Sequence, residues 1–306
     1  MSSPTAAIAG MDKAVSRASA PPAYVVYANK TLAASLPPQK IPRRIIQCGL
    51  TYESALATRG QYMHDWWGQN PEYEYEFFSE SAVVRFIAAH GTADERMAYS
   101  ALATGAQRAD LFRVYALKYL GGVYADIDCE LRMPLRAVRA PWRRASAVVG
   151  GMWTTEFLAF TPHHELITRV AATLTHNVLR QLSLHRSHDV RRCKTPHSCV
   201  LNVAGPFAFR WAVIDHATHA RCRLPGELRL NRSYTALQCP DDFRSLHVCT
   251  SDRGNIYRTW ACDAVYHWDC RNSGAKRRCG NRHYSRTRLF FNLSSAGTSP
   301  LKLPPP

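Results

Sequence analysis

The segment AQRADLFRVYALKYLGGVYADID, residues 106–128, constrains the fold more than any other stretch of the chain. At about 100° per residue, Leu111, Phe112, Val114, Tyr115, Ala116, Tyr119 and Leu120 cover most of a helix's circumference, which predicts a helix over 106–122 that is buried nearly all round. Asp110 and Arg113 share the narrow face that remains, spaced for a local ion pair. Gly121 and Gly122 then stop the helix and permit a left-handed reversal. VYADID follows as a short strand, and alternation sends Asp126 and Asp128 to one face with Cα atoms roughly 6.6 Å apart. Two carboxylates at a strand tip are costly to bury unless something positive sits there. In open α/β sheets, ligands bind outside such carboxyl ends.

The flanking segments set the fold class. IPRRIIQCGL (41–50) has a β-branched centre between a proline and a glycine and reads as a buried strand. YESALATRGQYMHDWW (52–67) reads as an amphipathic helix stopped by Gly68. In NPEYEYEFFSE (70–80), Tyr73, Tyr75 and Phe77 alternate with Glu72, Glu74 and Glu76 at the period of a strand, and a helix is expected from Ser81 to His90. Strand, helix, strand, helix at this spacing predicts an α/β fold with a mostly parallel sheet and crossover helices. Later strands are expected at 146–151 and 156–160, and helices at 163–182 and 205–217.

Residues 1–40, rich in Ser, Ala and Pro, read as a flexible extension, and 293–306 as a disordered tail. The folded body is expected over 41–292, with 41–160 as its core and 161–292 as a cysteine-rich remainder. No stretch is apolar enough to span a bilayer and no leader pattern opens the chain, so it reads as soluble, cytoplasmic by default. Eight of the ten cysteines fall after residue 190. Sequons at Asn29, Asn231 and Asn292 would suit a secretory route, and the compartment stays open. The net charge of +16 favours anionic partners.

Two aspartates beside a basic residue suit a hard divalent cation, Mn²⁺ or Mg²⁺, which keeps positions open for water and phosphate oxygens. A D-x-D spacing alone is more often a solvated turn; here its neighbours matter. IPRRIIQ, then WW-x2-NPEYEYEFF, then RADLFRVYALKYLGGVYADID together resemble the glycosyltransferase sugar-binding region with a DXD motif, found in the initiating α-1,6-mannosyltransferase of yeast and in inositolphosphoceramide mannosyltransferases. The similarity runs from residue 41 to about 130, with weaker echoes at 204–206 and at His267. The glucosylating bacterial toxins share the Asp-x-x-Arg and DXD arrangement.

This resemblance implies a single Rossmann-like domain of the GT-A type. It also implies a metal-dependent retaining transfer of a hexose from a GDP- or UDP-sugar to a glycan, glycolipid or protein acceptor. Family precedent points to the Golgi and allows peripheral membrane contact. Residue by residue, it implies Asp126 on the donor's ribose and sugar hydroxyls and Asp128 on the metal. Asp110 and Arg113 would hold the donor, with Arg113 also stabilising the departing diphosphate. The strand from Ile41 to Gln47 would line the nucleotide pocket, with Tyr124 beside it. His267 would complete the metal site, and Glu156 is a weaker candidate for a base or nucleophile. Family members often carry His where this chain has Ile46, and Trp where it has Gly49 and Leu50, which leaves the nucleotide open.

Other readings stand beside this one. RNSGAKRRCGNRHYSRTRL (271–289) carries seven Lys or Arg and no acid, and could track nucleic-acid phosphates or simply attract an anionic donor. A catalytically degenerate transferase-like protein is a further alternative. His185, His188, Cys193, His197 and Cys199, and Cys262, Cys270 and Cys279 with His283, form loose groups that lack the paired C-x2-C spacing of zinc sites; disulfides or free thiols fit them better.

Overall fold

The computed structural model describes residues 22–131, 133–137, 145–149, 155–187, 199–219, 243–245 and 257–258. The elements are, in order, β1 (Tyr24–Val26), α1 (Lys30–Ser35), β2 (Arg44–Gly49), α2 (Tyr52–Gly68), β3 (Glu74–Ser79), α3 (Glu80–His90), α4 (Ala93–Ala101), α5 (Gly105–Leu120) and β4 (Gly122–Ala125). There follow β5 (Glu130–Leu131), β6 (Ala147–Val149), β7 (Phe157–Phe160), α6 (Glu165–Arg186), a π-helical turn (Val200–Ala204), α7 (Pro206–His219), β8 (Phe243–Ser245) and β9 (Tyr257–Arg258). Among the described residues no helix is long and apolar enough to cross a membrane.

Seven strands form one sheet in the order β1-β3-β2-β4-β7-β6-β8, and β5 pairs with β9 apart from it. The expected α/β class holds. The sheet is less parallel than expected: β2 runs parallel to β3 and β4, and β6 to β8, whereas β1:β3, β4:β7 and β6:β7 are antiparallel. The reversal follows from the connection. A crossover helix returns β3 and β4 to the direction of β2, but too few residues separate Val149 from Phe157 for a crossover connection, and β6 and β7 pair antiparallel.

Alternation along the central strands divides the core in two. Ile45, Val123, Ala125, Phe157 and Ala159 pack with Ala55, Met63 and Trp66 of α2 on one face. Ile46, Tyr124, Leu158 and Phe160 pack with α3, α5, α6 and the π-helical turn on the other. The sheet is therefore sandwiched between helical layers, and α5 is buried nearly all round, as its pattern predicts. The turn before β4 requires both glycines: φ is +65° at Gly121 and +103° at Gly122, and a Cβ would lie 2.6 Å from Pro162 at the first and 2.7 Å from the Arg44 carbonyl oxygen at the second.

Part of the stretch read as a flexible extension is built into the fold. Tyr24–Val26 adds an edge strand antiparallel to β3, and Tyr24 stacks on Tyr52 with centroids 4.1 Å apart. Three residues are too few to show strand alternation in a sequence, and the prolines around them mask the rest. The asparagine of NPEY also has a structural task. Buried Asn70 donates to the Trp66 carbonyl (2.7 Å) and accepts from the Leu135 amide (2.6 Å), joining the end of α2 to the chain beyond β5.

Glu76 of β3 is buried and bonded to Arg44 Nε at 2.7 Å. Burial pushes its carboxyl from 4.5 up to about 7, with Arg44 opposing. A carboxyl whose folded pKa exceeds its unfolded value holds its proton more tightly when folded. Its contribution is thus fully present below about pH 4.5 and is lost as pH rises through about 7. Denaturant midpoints measured from pH 4.5 to 8 should show a decline of up to about 3 kcal/mol from this group, and Glu76→Gln should flatten that component. An unchanged slope in the variant would assign the decline elsewhere.

Candidate active site

Because β2, β3 and β4 are parallel, their carboxyl ends open on one edge of the sheet. Tyr124 faces the α5 layer, and Asp126, two residues on, meets α5 on the same side. Arg113 of α5 is buried and holds both acids through Nη2, Asp110 Oδ1 at 3.1 Å and Asp126 Oδ1 at 3.2 Å. Its Nη1 donates to Thr155 Oγ1 at 2.7 Å and its Nε to the Ala109 carbonyl at 3.3 Å. The guanidinium carbon lies 5.1 Å from the Tyr124 ring centroid, and the Tyr124 hydroxyl donates to Asp126 Oδ1 at 2.8 Å. The fork of Arg113 is thus fixed before any ligand arrives.

The aspartate pair sits beyond the strand, which ends at Ala125; Ile127 and Asp128 form a turn closed by the Cys129 amide on the Asp126 carbonyl at 3.0 Å. The strand expected to run through VYADID thus stops at Ala125, short of both aspartates. Both faces of the sheet hold the turn. Gln47 Nε2 donates to the Asp126 carbonyl at 3.1 Å, the Asp126 amide donates to the Glu156 carbonyl at 2.9 Å, and Trp66 Nε1 donates to the Cys129 carbonyl at 2.8 Å. The antiparallel register that sets Ala125 opposite Phe157 brings Thr155 and Glu156 to this edge.

Burial is the main force on the acids. It pushes Asp110 up to about 7 and Asp126 up to about 6, with Arg113 opposing and the neighbouring carboxylate adding in each case, Asp126 for Asp110 and Asp128 for Asp126. Burial also works against the Arg113 charge, but Asp126 and Asp110 more than offset it and keep its pKa above the ordinary value. Cys48, 3.4 Å from the Tyr124 hydroxyl, is pushed up to about 11 by burial and stays a thiol. Among the described residues the site sets three carboxylates, Asp110, Asp126 and Asp128, against the Arg113 guanidinium.

Asp128 is half-buried, and among the described residues its carboxylate has neither a hydrogen bond nor an ion pair. With Asp126 it offers hard oxygen donors at the mouth of the site. Among the described residues no cluster of three or more His, Cys, Asp or Glu side chains forms a closed metal cage. That donor set fits a hard cation that takes its remaining ligands from water and a phosphate-bearing substrate.

The structure brings together Asp110, Arg113, Tyr124, Asp126 and Asp128, with Gln47 beneath them. Gln47 is buried, and its side chain is engaged at both ends, accepting from the Tyr75 hydroxyl at 2.8 Å through Oε1. It positions Asp126 rather than lining a pocket. Tyr124 is likewise buried under Arg113. Ile41 is not brought to the site: it precedes the amino end of β2 and lies in the core cluster on the α2 face. Hydrophobic periodicity marks such a residue as strand or core without saying which end of the strand it guards. Glu156 reaches the site through its main chain. His267 and the basic stretch 271–289 lie outside the described residues, as do most members of the two loose His/Cys groups; Cys199 is disulfide-bonded.

Thr155, Trp66 and Cys48 were not anticipated at the site. For Thr155 no local signal existed, since its bond to Arg113 spans 42 positions and depends on the β4:β7 pairing. The indole of Trp66 was legible as part of the WW-x2-NP pattern, though not as a donor to the turn.

A solved structure described as PaToxG Glycosyltransferase aligns with 61% of this chain and 74% of its own, at 16% identity and a TM-score of 0.38. No curated protein sequence matches the chain. Residues 58–147, which span Arg113 and the whole 126–129 turn, match the model of the glycosyltransferase sugar-binding region containing DXD motif. That matched stretch places the D-x-D sequence Asp126-Ile127-Asp128 at the carboxyl edge of the sheet, so this part of the chain is similar to the glycosyltransferase sugar-binding region.

Proposed function

We propose that the protein is a metal-dependent, retaining hexosyltransferase that takes its sugar from a nucleoside-diphosphate donor and passes it to a glycan, glycolipid or protein hydroxyl. The observation that carries this reading is the preset fork of Arg113, clamped by Asp110, Asp126 and Thr155 beside Asp128, whose carboxylate has no partner among the described residues. Asp128 and Asp126 would hold Mn²⁺ or Mg²⁺, which when bound supplies Lewis-acid stabilisation of the leaving diphosphate. Asp110 and Asp126 accept hydrogen bonds, and so suit the hydroxyls of a sugar or ribose. Arg113 keeps its proton and faces the departing phosphate oxygens as the anomeric C–O bond breaks and the acceptor C–O bond forms on the same face, the acceptor's hydroxyl proton passing to the departing diphosphate. Fixed charge of this kind needs no reorganisation during the reaction.

A thermal-shift screen of UDP- and GDP-sugars with and without Mn²⁺ tests the reading. Donor and metal together should raise Tm by a few degrees at ligand well above Kd, while either alone shifts it less, and slow donor hydrolysis should accompany the productive pair. No shift and no hydrolysis with any donor would overturn it.

A further inference from the structure

Beside the acids, at the carboxyl end of β2, lies a half-open cavity of about 160 Å³ between that strand, the start of α3 and the first turns of α5. It adjoins the site directly: Ala109 precedes Asp110, and Cys48 reaches the Tyr124 hydroxyl that holds Asp126. Its walls are mostly apolar, with the Phe112 and Tyr99 side chains among them, which suits a flat heteroaromatic ring. Among the described residues the charged groups on that wall are the Glu80 carboxylate and the Arg108 guanidinium.

These two are joined through Arg108 Nη1 and Glu80 Oε1, and Arg108 is fixed further by Nε on the Leu102 carbonyl at 3.1 Å and by its position over the Tyr99 ring. Among the described residues Glu80 Oε2 and Arg108 Nη2 have no partner. An exposed ion pair contributes little to stability. Each carboxylate oxygen carries two lone pairs, so Glu80 Oε2, the second lone pair of Oε1 and Arg108 Nη2 offer acceptor, acceptor and donor to a ring seated in the cavity. Guanine presents the complement along its pairing edge: the N2 amino group and N1–H donate, and O6 accepts. Uracil would set its O2, and adenine its N1, against the carboxylate, each an acceptor facing an acceptor.

We propose that the Glu80–Arg108 pair selects guanine as the base of the donor, so that the sugar arrives as a guanosine-diphosphate conjugate. This inference rests on the nucleoside-diphosphate reading above. It is tested by calorimetric titration of the full chain with GDP, IDP, UDP and ADP in the presence of Mn²⁺. GDP should bind about tenfold or more tightly than UDP and ADP, and IDP, which lacks only the N2 amino group, should bind more weakly than GDP. Glu80→Ala should weaken both GDP and IDP and bring them to the same affinity, leaving UDP unchanged. UDP or ADP binding as tightly as GDP, or a GDP-to-IDP ratio unmoved by Glu80→Ala, would overturn the guanine assignment and leave the transferase reading standing. Failure of all four nucleotides to bind would overturn both.

Discussion

Replacing Asp128 with alanine is expected to lower metal-dependent donor hydrolysis by about 10²–10³-fold while leaving the folded state intact. The two halves of this expectation have separate grounds. Asp128 is half-buried in a turn whose hydrogen bonds are made by main-chain atoms of residues 126 and 129 and by Gln47 and Trp66, none of which the substitution removes. Its own carboxylate holds nothing among the described residues, and its charge pushes the Asp126 carboxyl up. Thermal midpoint should stay within the spread of ordinary surface substitutions, about 0.5 kcal/mol. The Mn²⁺-dependent thermal shift with a nucleoside diphosphate should be lost with that activity, and Asp128→Asn should behave almost as badly, because an amide is a poor ligand where a charged oxygen is wanted. Full metal-dependent hydrolysis in either variant would remove Asp128 from the metal site.

The same residue shows where sequence patterns reach and where they stop. The helix, the two glycines and the acids were legible because each rests on a local rule: a period of 3.6, a positive φ, and a carboxylate that needs a partner. Asp110, Arg113 and Asp126 converge because α5 and β4 are consecutive and packed face to face, a short-range consequence of the glycine turn. The turn at 127–128 was not legible, since alternation in VYADID carries on past the point where β2 and β7 stop pairing with β4. Thr155 and the Trp66 indole arrive from positions 42 and 63 residues away from their partners. Contacts of that range are set by strand order, and antiparallel β4:β7 pairing leaves no trace in either segment taken alone. Gln47 lies on the strand expected to line the nucleotide pocket, and its side chain is buried and bonded at both ends, a support for Asp126 that no sequence pattern separates from a ligand.

Removal of the Arg113 charge should have the largest effect on stability. In Arg113→Leu, Asp110 and Asp126 lose the cation that both contact, and Thr155 loses its donor, inside a region where Asp110 and Arg113 are each less than a tenth exposed. Breaking a buried pair by deleting one member typically costs about 3–5 kcal/mol, mostly because the other charge is left without compensation. Denaturant unfolding should register a loss of that order, together with loss of donor hydrolysis. Destabilisation alone would not identify the cause, because leucine also empties space beside Tyr124. The discriminating variant is Arg113→Leu combined with Asp110→Asn, which removes one of the stranded carboxylates and nothing else. If the cost is electrostatic, the double variant should be more stable than Arg113→Leu by about 1 kcal/mol or more; a simple packing defect predicts additive or worse behaviour. Arg113→Lys separates charge from shape: a single ammonium can answer one acid but not two acids and Thr155 together, so stability should be recovered in part while hydrolysis stays low. Full activity in the lysine variant would mean that only the charge of Arg113, and not its fork, serves the reaction.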